Sequence, residues 1–191
     1  MSDSSQKKRR TVRQVQYAGK LTAQQADEGI SAASRNTTRL AADARLLFDN
    51  GRYPSARALA ILAIEEYGKI PILHGISAAL ESELKSAWKD YRDHKEKNAW
   101  WPLVFDWLSG AVSGADEIAD VSNPNAEHPQ LLEDLKQMSL YSDCFENCVW
   151  WTPGSNEDAL LTHWLVAAAE RLASTPVLTT TKLAESKSSK S

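Results

Sequence analysis

Apolar side chains recur at intervals of three and four residues over a long stretch in the first third of the chain. They run from Ile30 to Phe48 and stop at an Asn-Gly pair at residues 50–51, and Thr22 followed by Gln25 fits a capping box at the start. This spacing predicts one long amphipathic helix with marked ends. Such a helix has to bury its apolar stripe against other elements, so it constrains the architecture of the whole domain.

The segments that follow also have helical spacing. Pro54 suits the first turn of a second helix, and the residues up to Lys69 are apolar almost all round, which predicts a central place in a bundle. We expect Pro71 or Gly75 to kink or break this helix. Further helices are predicted at roughly 79–98, 102–118 and 130–140, and a last one, capped by Ser155 with Asp158, ends before Pro176. The sequence therefore predicts an all-α bundle of five or six helices.

The two ends of the chain differ from this folded domain, which we predict to span residues 21–175. Residues 1–20 and 176–191 lack apolar periodicity, so they are predicted to be disordered tails, the first of them basic. The first residues lack the apolar stretch of a secretory signal, and the longest apolar run, Ala58–Ile64, is far shorter than the roughly 20 residues that a bilayer requires. Two cysteines are too few for a disulfide framework. We therefore expect a cytoplasmic protein without membrane contact.

Charge is unevenly distributed along the chain. Residues 14–97 carry 12 basic and 11 acidic side chains, whereas residues 98–175 carry 12 acidic ones against only Lys136 and Arg171. A broad basic face for duplex DNA is not available in that second half. A site for a polyanion such as RNA is expected in the first half.

The most informative polar cluster is the Glu-Glu-Tyr-Gly-Lys stretch at residues 65–69. At about 100° per residue, Glu66 falls on the same stripe as Leu62 and Ile70, and a carboxylate on an apolar face costs several kcal/mol unless it is paired. Lys69 could pair with Glu65 or with Glu66. The cluster is either a salt bridge that fixes helix register or the acidic part of a functional site, and the residues alone leave both open.

A second cluster covers residues 91–97. On a regular helix His94 lies beside the apolar edge formed by Trp88 and Tyr91, and Lys97 follows one turn later, while Arg92 points roughly 200° away from His94. A solvated charged face is the ordinary outcome for such a run. The density of positive charge also suits a phosphate or another acidic ligand.

A third cluster combines Tyr141 and Asp143 with the adjacent Trp150 and Trp151. Paired tryptophans in a loop either cover a cleft, bind a partner protein, or close the end of the bundle. The two cysteines are four residues apart, which is not the spacing of a zinc knuckle, and the glycine-rich nucleotide-binding loops and HExxH are absent from the sequence. We therefore predict no metal and no cofactor.

Three segments together resemble the abortive infection protein AbiV family, whose members are helical proteins of bacterial anti-phage defence grouped with the HEPN superfamily. They are residues 35–69, 93–97 (DHKEK) and 135–153, in the same order, across about two-thirds of the chain. The specific part is the Gly-Arg-Tyr turn at residues 51–53 followed by EExGK. The resemblance implies a HEPN-like bundle and a protein that blocks translation in infected cells.

Many HEPN proteins are metal-independent ribonucleases that place an Arg-x4-6-His element at a homodimer cleft, so the resemblance also implies a homodimer and an RNA substrate. This chain departs from that element: Lys89 precedes His94, and Lys69 precedes His74, at the distance where arginine is expected. Lysine supplies a point charge without the planar fork of arginine, which weakens a phosphate site without removing it. The nuclease activity is therefore a hypothesis.

Under that hypothesis the residues have distinct roles. The catalytic group comprises His94 as acid/base with Glu66 and Lys69; the substrate-binding group comprises Arg52, Lys97, Glu65, Tyr141 and Asp143. The alternative is a non-catalytic helical module that binds a phage or translation-associated protein through Trp150 and Trp151. In a third interpretation, EExGK only fixes helix register.

Overall fold

The computed structural model describes residues 15–100, 123–155 and 158–182, which form an all-α bundle, as predicted. These residues also contain a 3-10 turn, Glu81–Glu83, and a small antiparallel hairpin of two three-residue strands. The predicted helix at 102–118 lies outside the described residues. The helices are α1 (Ala23–Asp49), α2 (Tyr53–Ala78), α3 (Leu84–Arg92), α4 (His94–Asn98), α5 (Glu127–Leu140) and α6 (Ala159–Ser174), and the strands are β1 (Asp143–Phe145) and β2 (Val149–Trp151).

Helix α2 occupies the centre of the bundle. The capping box of Thr22 and Gln25 begins α1, Gly51 reverses the chain at a φ of 69°, and α2 then packs against α1, α4, α5 and α6. The main core is built from the small and branched side chains of α1, α2 and α6, such as Ala44, Ile61 and Val166. The helix does not break at Pro71 or Gly75, since both residues lie inside α2, although Pro71 has no N–H to donate to the preceding turn.

The predicted helix over residues 79–98 was also wrong, because it is divided at Asp93. That residue is extended (φ −78°, ψ 131°), and its carboxylate accepts a hydrogen bond from Lys95 N at 2.8 Å, so it caps a new short helix, α4. Helix α4 lies so close to α2 that a Cβ on Gly68 would be 2.0 Å from the carbonyl oxygen of Lys97. The glycine therefore permits this contact between the two backbones.

The folded part extends further at both ends than the predicted limits of 21 and 175. At the N-terminal end, the Trp88 indole donates to Gly19 O at 2.9 Å. At the C-terminal end, Asp27 accepts a hydrogen bond from Thr180 N at 2.5 Å. The cap of α6 is Asp158, which accepts from Leu161 N at 2.8 Å, and not Ser155. Within the described ranges, no helix combines the length and apolar character needed to cross a membrane.

Candidate functional site

A carboxylate lies buried at the centre of the bundle. The side chain of Glu65 on α2 is 4% exposed, and its two oxygens have different partners. Oε2 lies 2.8 Å from His94 Nδ1 on α4, and Oε1 lies 2.5 Å from Lys136 Nζ on α5. Asn98, one turn after His94, also donates to Oε1 at 3.4 Å. Three helices therefore converge on one acid.

The α5 side of this site carries its own ion pair. Lys136 Nζ lies 2.6 Å from Glu133 Oε2, one turn earlier on the helix. Burial disfavours the charged form of Lys136, but its hydrogen bonds to Glu133 and Glu65 outweigh burial and raise the pKa of Lys136 above its ordinary value. Burial would raise the pKa of Glu133, but hydrogen bonds from Lys136 and Gln137 outweigh it and lower that pKa. We call Glu65, His94, Asn98, Glu133 and Lys136 the polar cluster.

The geometry of the polar cluster indicates which ring nitrogen of His94 carries a proton. A carboxylate only accepts hydrogen bonds, so the contact with Glu65 places a proton on Nδ1 of His94. In the neutral ring Nε2 is then the basic nitrogen. The His94 side chain is 53% exposed, whereas Glu65 is buried. A buried carboxylate that orients a solvent-accessible imidazole is an arrangement suited to proton transfer.

Two more predicted residues lie close to the cluster. Lys97 on α4 is buried, and burial lowers its pKa even though the charge of Glu65 partly offsets that effect. Lys69 forms a short ion pair with Glu66 and lies 5.7 Å from the ring centroid of Tyr91. In the EExGK stretch, Glu65 and Gly68 therefore contact α4, whereas Lys69 pairs within α2 and reaches Tyr91 of α3.

The expectation that Glu66 is the buried acid was wrong. Glu65 is the one that faces α4 and α5, whereas Glu66 is partly exposed and bound to Lys69. Because α2 is apolar nearly all round and packed on several sides, the helical wheel could not identify one buried face. Arg52 does not join the site, since it is exposed and precedes Glu65 by 13 residues, about 20 Å along the helix axis.

The remaining predicted residues lie on and beside the hairpin. Tyr141 and Asp143 line an open cleft of about 710 Å³ between α5 and the strands. Trp151 borders the same cleft and donates its indole N–H to Met138 O at 2.9 Å, which ties the hairpin to α5. Trp150 is 71% exposed. The structure therefore does not bring these residues into the polar cluster.

Three members of the polar cluster were not predicted as site residues from the sequence: Asn98, Glu133 and Lys136. Lys136 had one usable signal, because it is the only lysine between residues 98 and 175, a segment with 12 acidic side chains. Glu133 stands three residues before it, a spacing typical of an exposed helix pair. Only the tertiary packing shows that the pair lies against Glu65.

Three residues of the polar cluster are of the types that commonly bind metal ions in proteins. Ligand atoms of Glu65, His94 and Glu133 all lie within 4.8 Å of one another. Two carboxylates and one imidazole suit several divalent metals. In this arrangement, however, the ammonium group of Lys136 contacts both carboxylates.

The chain was compared with known families, curated proteins and solved structures. A family model described as HEPN_AbiV (AbiV) matches residues 25–174, which include the polar cluster and the hairpin. No curated protein and no solved structure matches the chain.

Proposed function

The chain belongs to the AbiV family, HEPN-type proteins of abortive infection and anti-phage defence, and from this premise we propose that it blocks translation in infected cells by cutting RNA. The observation that carries the proposal is the 2.8 Å contact between buried Glu65 and the exposed imidazole of His94. A carboxylate in this position holds the imidazole in one tautomer and stabilises the imidazolium that forms when Nε2 takes up a proton.

The reaction we propose is transfer of an RNA phosphodiester to the neighbouring ribose hydroxyl. Nε2 of His94 removes the proton from the 2′-OH, the 2′-oxygen attacks phosphorus, and the bond to the 5′-oxygen breaks. A general acid returns a proton to that oxygen, which leaves a 2′,3′-cyclic phosphate and a 5′-OH. General acid–base catalysis of this kind accounts for roughly 10²- to 10⁴-fold of rate enhancement.

A phosphate ligand and the general acid would come from a second copy of the chain. Lys69 is paired with Glu66, and Lys97 is buried. Arg52 lies just before the start of α2, 13 residues and roughly 20 Å from Glu65, the residue that contacts His94. The cations that the sequence assigned to phosphate are thus poorly placed to act beside His94 within one protomer. We therefore keep the homodimer as part of the proposal.

The test is to map RNA ends in phage-infected cells that express the wild type, His94→Ala or His163→Ala. His163 is an exposed histidine of α6, so it is a matched control for loss of an imidazole. We expect new 2′,3′-cyclic phosphate ends with the wild type and the control, and none with His94→Ala. Identical ends in all three strains, or no new ends in any, would contradict the nuclease proposal.

A second candidate function rests on the hairpin. The side chains of Phe145, Val149 and Trp150 on the hairpin are exposed, and tryptophan is enriched among the residues that contribute most to protein interfaces. In this alternative the protein stops translation by binding a phage or translation-associated protein. Trp150→Ala would then abolish protection although no RNA is cut, whereas full protection by Trp150→Ala would count against it.

A further inference from the structure

Lys136 lies where a metal ion would lie. Its Nζ is 2.5 Å from Glu65 Oε1 and 2.6 Å from Glu133 Oε2, and it lies 3.4 Å from His94 Nδ1. The ammonium group therefore pairs with both carboxylates and lies beside the imidazole, so it occupies the space between the three members of the ligand set. The side chain is 5% exposed. The ammonium group of Lys136 therefore supplies the positive charge that balances the two carboxylates.

We propose that the ammonium group of Lys136 is the resident cation of a three-ligand site formed by Glu65, His94 and Glu133, and that it closes this site to divalent metal ions. A buried ammonium between two carboxylates satisfies their charge with short ion pairs. A metal ion could enter only by displacing it, which would leave a buried lysine without its partners.

The geometry of the imidazole supports the same conclusion. A metal held by Glu65, His94 and Glu133 would bind the ring through Nδ1, the nitrogen that faces the carboxylates, and Nδ1 would lose its proton. With Lys136 in place, Nδ1 stays protonated and donates a hydrogen bond to Oε2 of Glu65 at 2.8 Å. The lysine therefore preserves the hydrogen bond that leaves Nε2 free.

Cobalt(II) provides a direct probe, because protein-bound Co²⁺ has visible absorption bands. The full chain would be titrated with Co²⁺ as wild type, Lys136→Ala, Lys136→Arg and the double variant Lys136→Ala/His94→Ala. We expect no His94-dependent bands in the wild type, and at least about tenfold tighter binding in Lys136→Ala. Lys136→Arg keeps a cation and should stay free of cobalt. Metal held by the exposed Cys144 and Cys148 persists in the double variant and is subtracted.

Three results would overturn the proposal. The first is that the wild type binds cobalt through His94 as tightly as Lys136→Ala does. The second is that Lys136→Ala folds but binds cobalt no more tightly than the wild type. The third is that the absorption bands of Lys136→Ala persist unchanged in the double variant. If Lys136→Ala is unfolded without metal, recovery of its helical circular dichroism on adding Zn²⁺ supports the proposal, and no recovery contradicts it. These readouts do not involve RNA, so they are independent of the proposed cleavage.

Discussion

The polar cluster and the hairpin both contact helix α5, but the side chains of the cluster are mostly buried and paired, whereas the hairpin exposes large apolar side chains. In the cluster, Glu133 and Lys136 pair with each other and with Glu65 in the interior, where each charge depends on its partner. On the hairpin, Trp150 projects into solvent, and the neighbouring Trp151 is tied to α5 by one hydrogen bond. Substitutions in the polar cluster are therefore expected to cost stability, whereas Trp150 can be changed with little effect on the fold.

The largest loss of stability is expected from substitution of Glu65, the acid at which α2, α4 and α5 meet. Glu65→Gln leaves Lys136 buried with one partner fewer, and removing one member of a buried ion pair costs roughly 3–5 kcal/mol. Glu66→Gln, the matched control, disrupts only a partly exposed pair, so we expect about 1 kcal/mol or less. Urea denaturation of both variants measures the difference, and equal losses would contradict the distinction between the two acids.

The next effect concerns the close contact of α2 with α4. Gly68→Ala places a methyl group against Lys97 O, and overpacking of this kind costs about 1–3 kcal/mol or more. Gly75→Ala on the same helix meets nothing within 4 Å, so it should be neutral or stabilising by about 1 kcal/mol. Thermal denaturation compares the pair. A neutral Gly68→Ala would mean that α4 does not dock as described.

A smaller change in the free energy of unfolding is expected at acid pH. The pKa of Glu133 is lower in the folded protein than its ordinary value of 4.5, so the folded state holds this proton less tightly than the unfolded chain. The resulting stabilisation is complete above pH 4.5 and is lost as the pH falls through the folded-state pKa. Glu133→Gln should therefore flatten the acid side of a plot of unfolding free energy against pH, and an unchanged slope would contradict this.

The smallest effect on stability is expected on the hairpin. Trp150→Ala removes a side chain that is 71% exposed, so the free energy of unfolding should change by no more than about 0.5 kcal/mol. Trp151→Ala removes the hydrogen bond to Met138 and should cost more. Chemical denaturation of the two variants tests this order, and a large loss with Trp150→Ala would place that residue in the fold rather than on a free surface.

The sequence predicted the fold more fully than the site, for identifiable reasons. Helical spacing and the capping box of Thr22 with Gln25 are local signals, and they led to the all-α bundle and the start of α1. The break at Asp93 was missed although its contact with Lys95 N is local, because the residues on both sides of Asp93 fit the spacing of one continuous helix. Lys136 was missed as a site residue because its partner Glu65 is 71 residues away in the chain.

The choice between Glu65 and Glu66 illustrates the same limit. The two acids are adjacent, and both are near Lys69, so their local sequence does not distinguish them. Helices packed on several sides of α2 decide which one is buried. Periodicity identifies the buried face of a helix that has one, and α2 has no single buried face.

The most direct test of the proposed chemistry is cleavage of RNA by the purified full-length protein in the presence of EDTA. We expect cleavage that persists without divalent metal and leaves 2′,3′-cyclic phosphate ends. His94→Ala should reduce the rate at least about 100-fold, and His163→Ala should leave it unchanged. Cleavage by His94→Ala at the wild-type rate, or no cleavage by a folded wild-type protein, would contradict it.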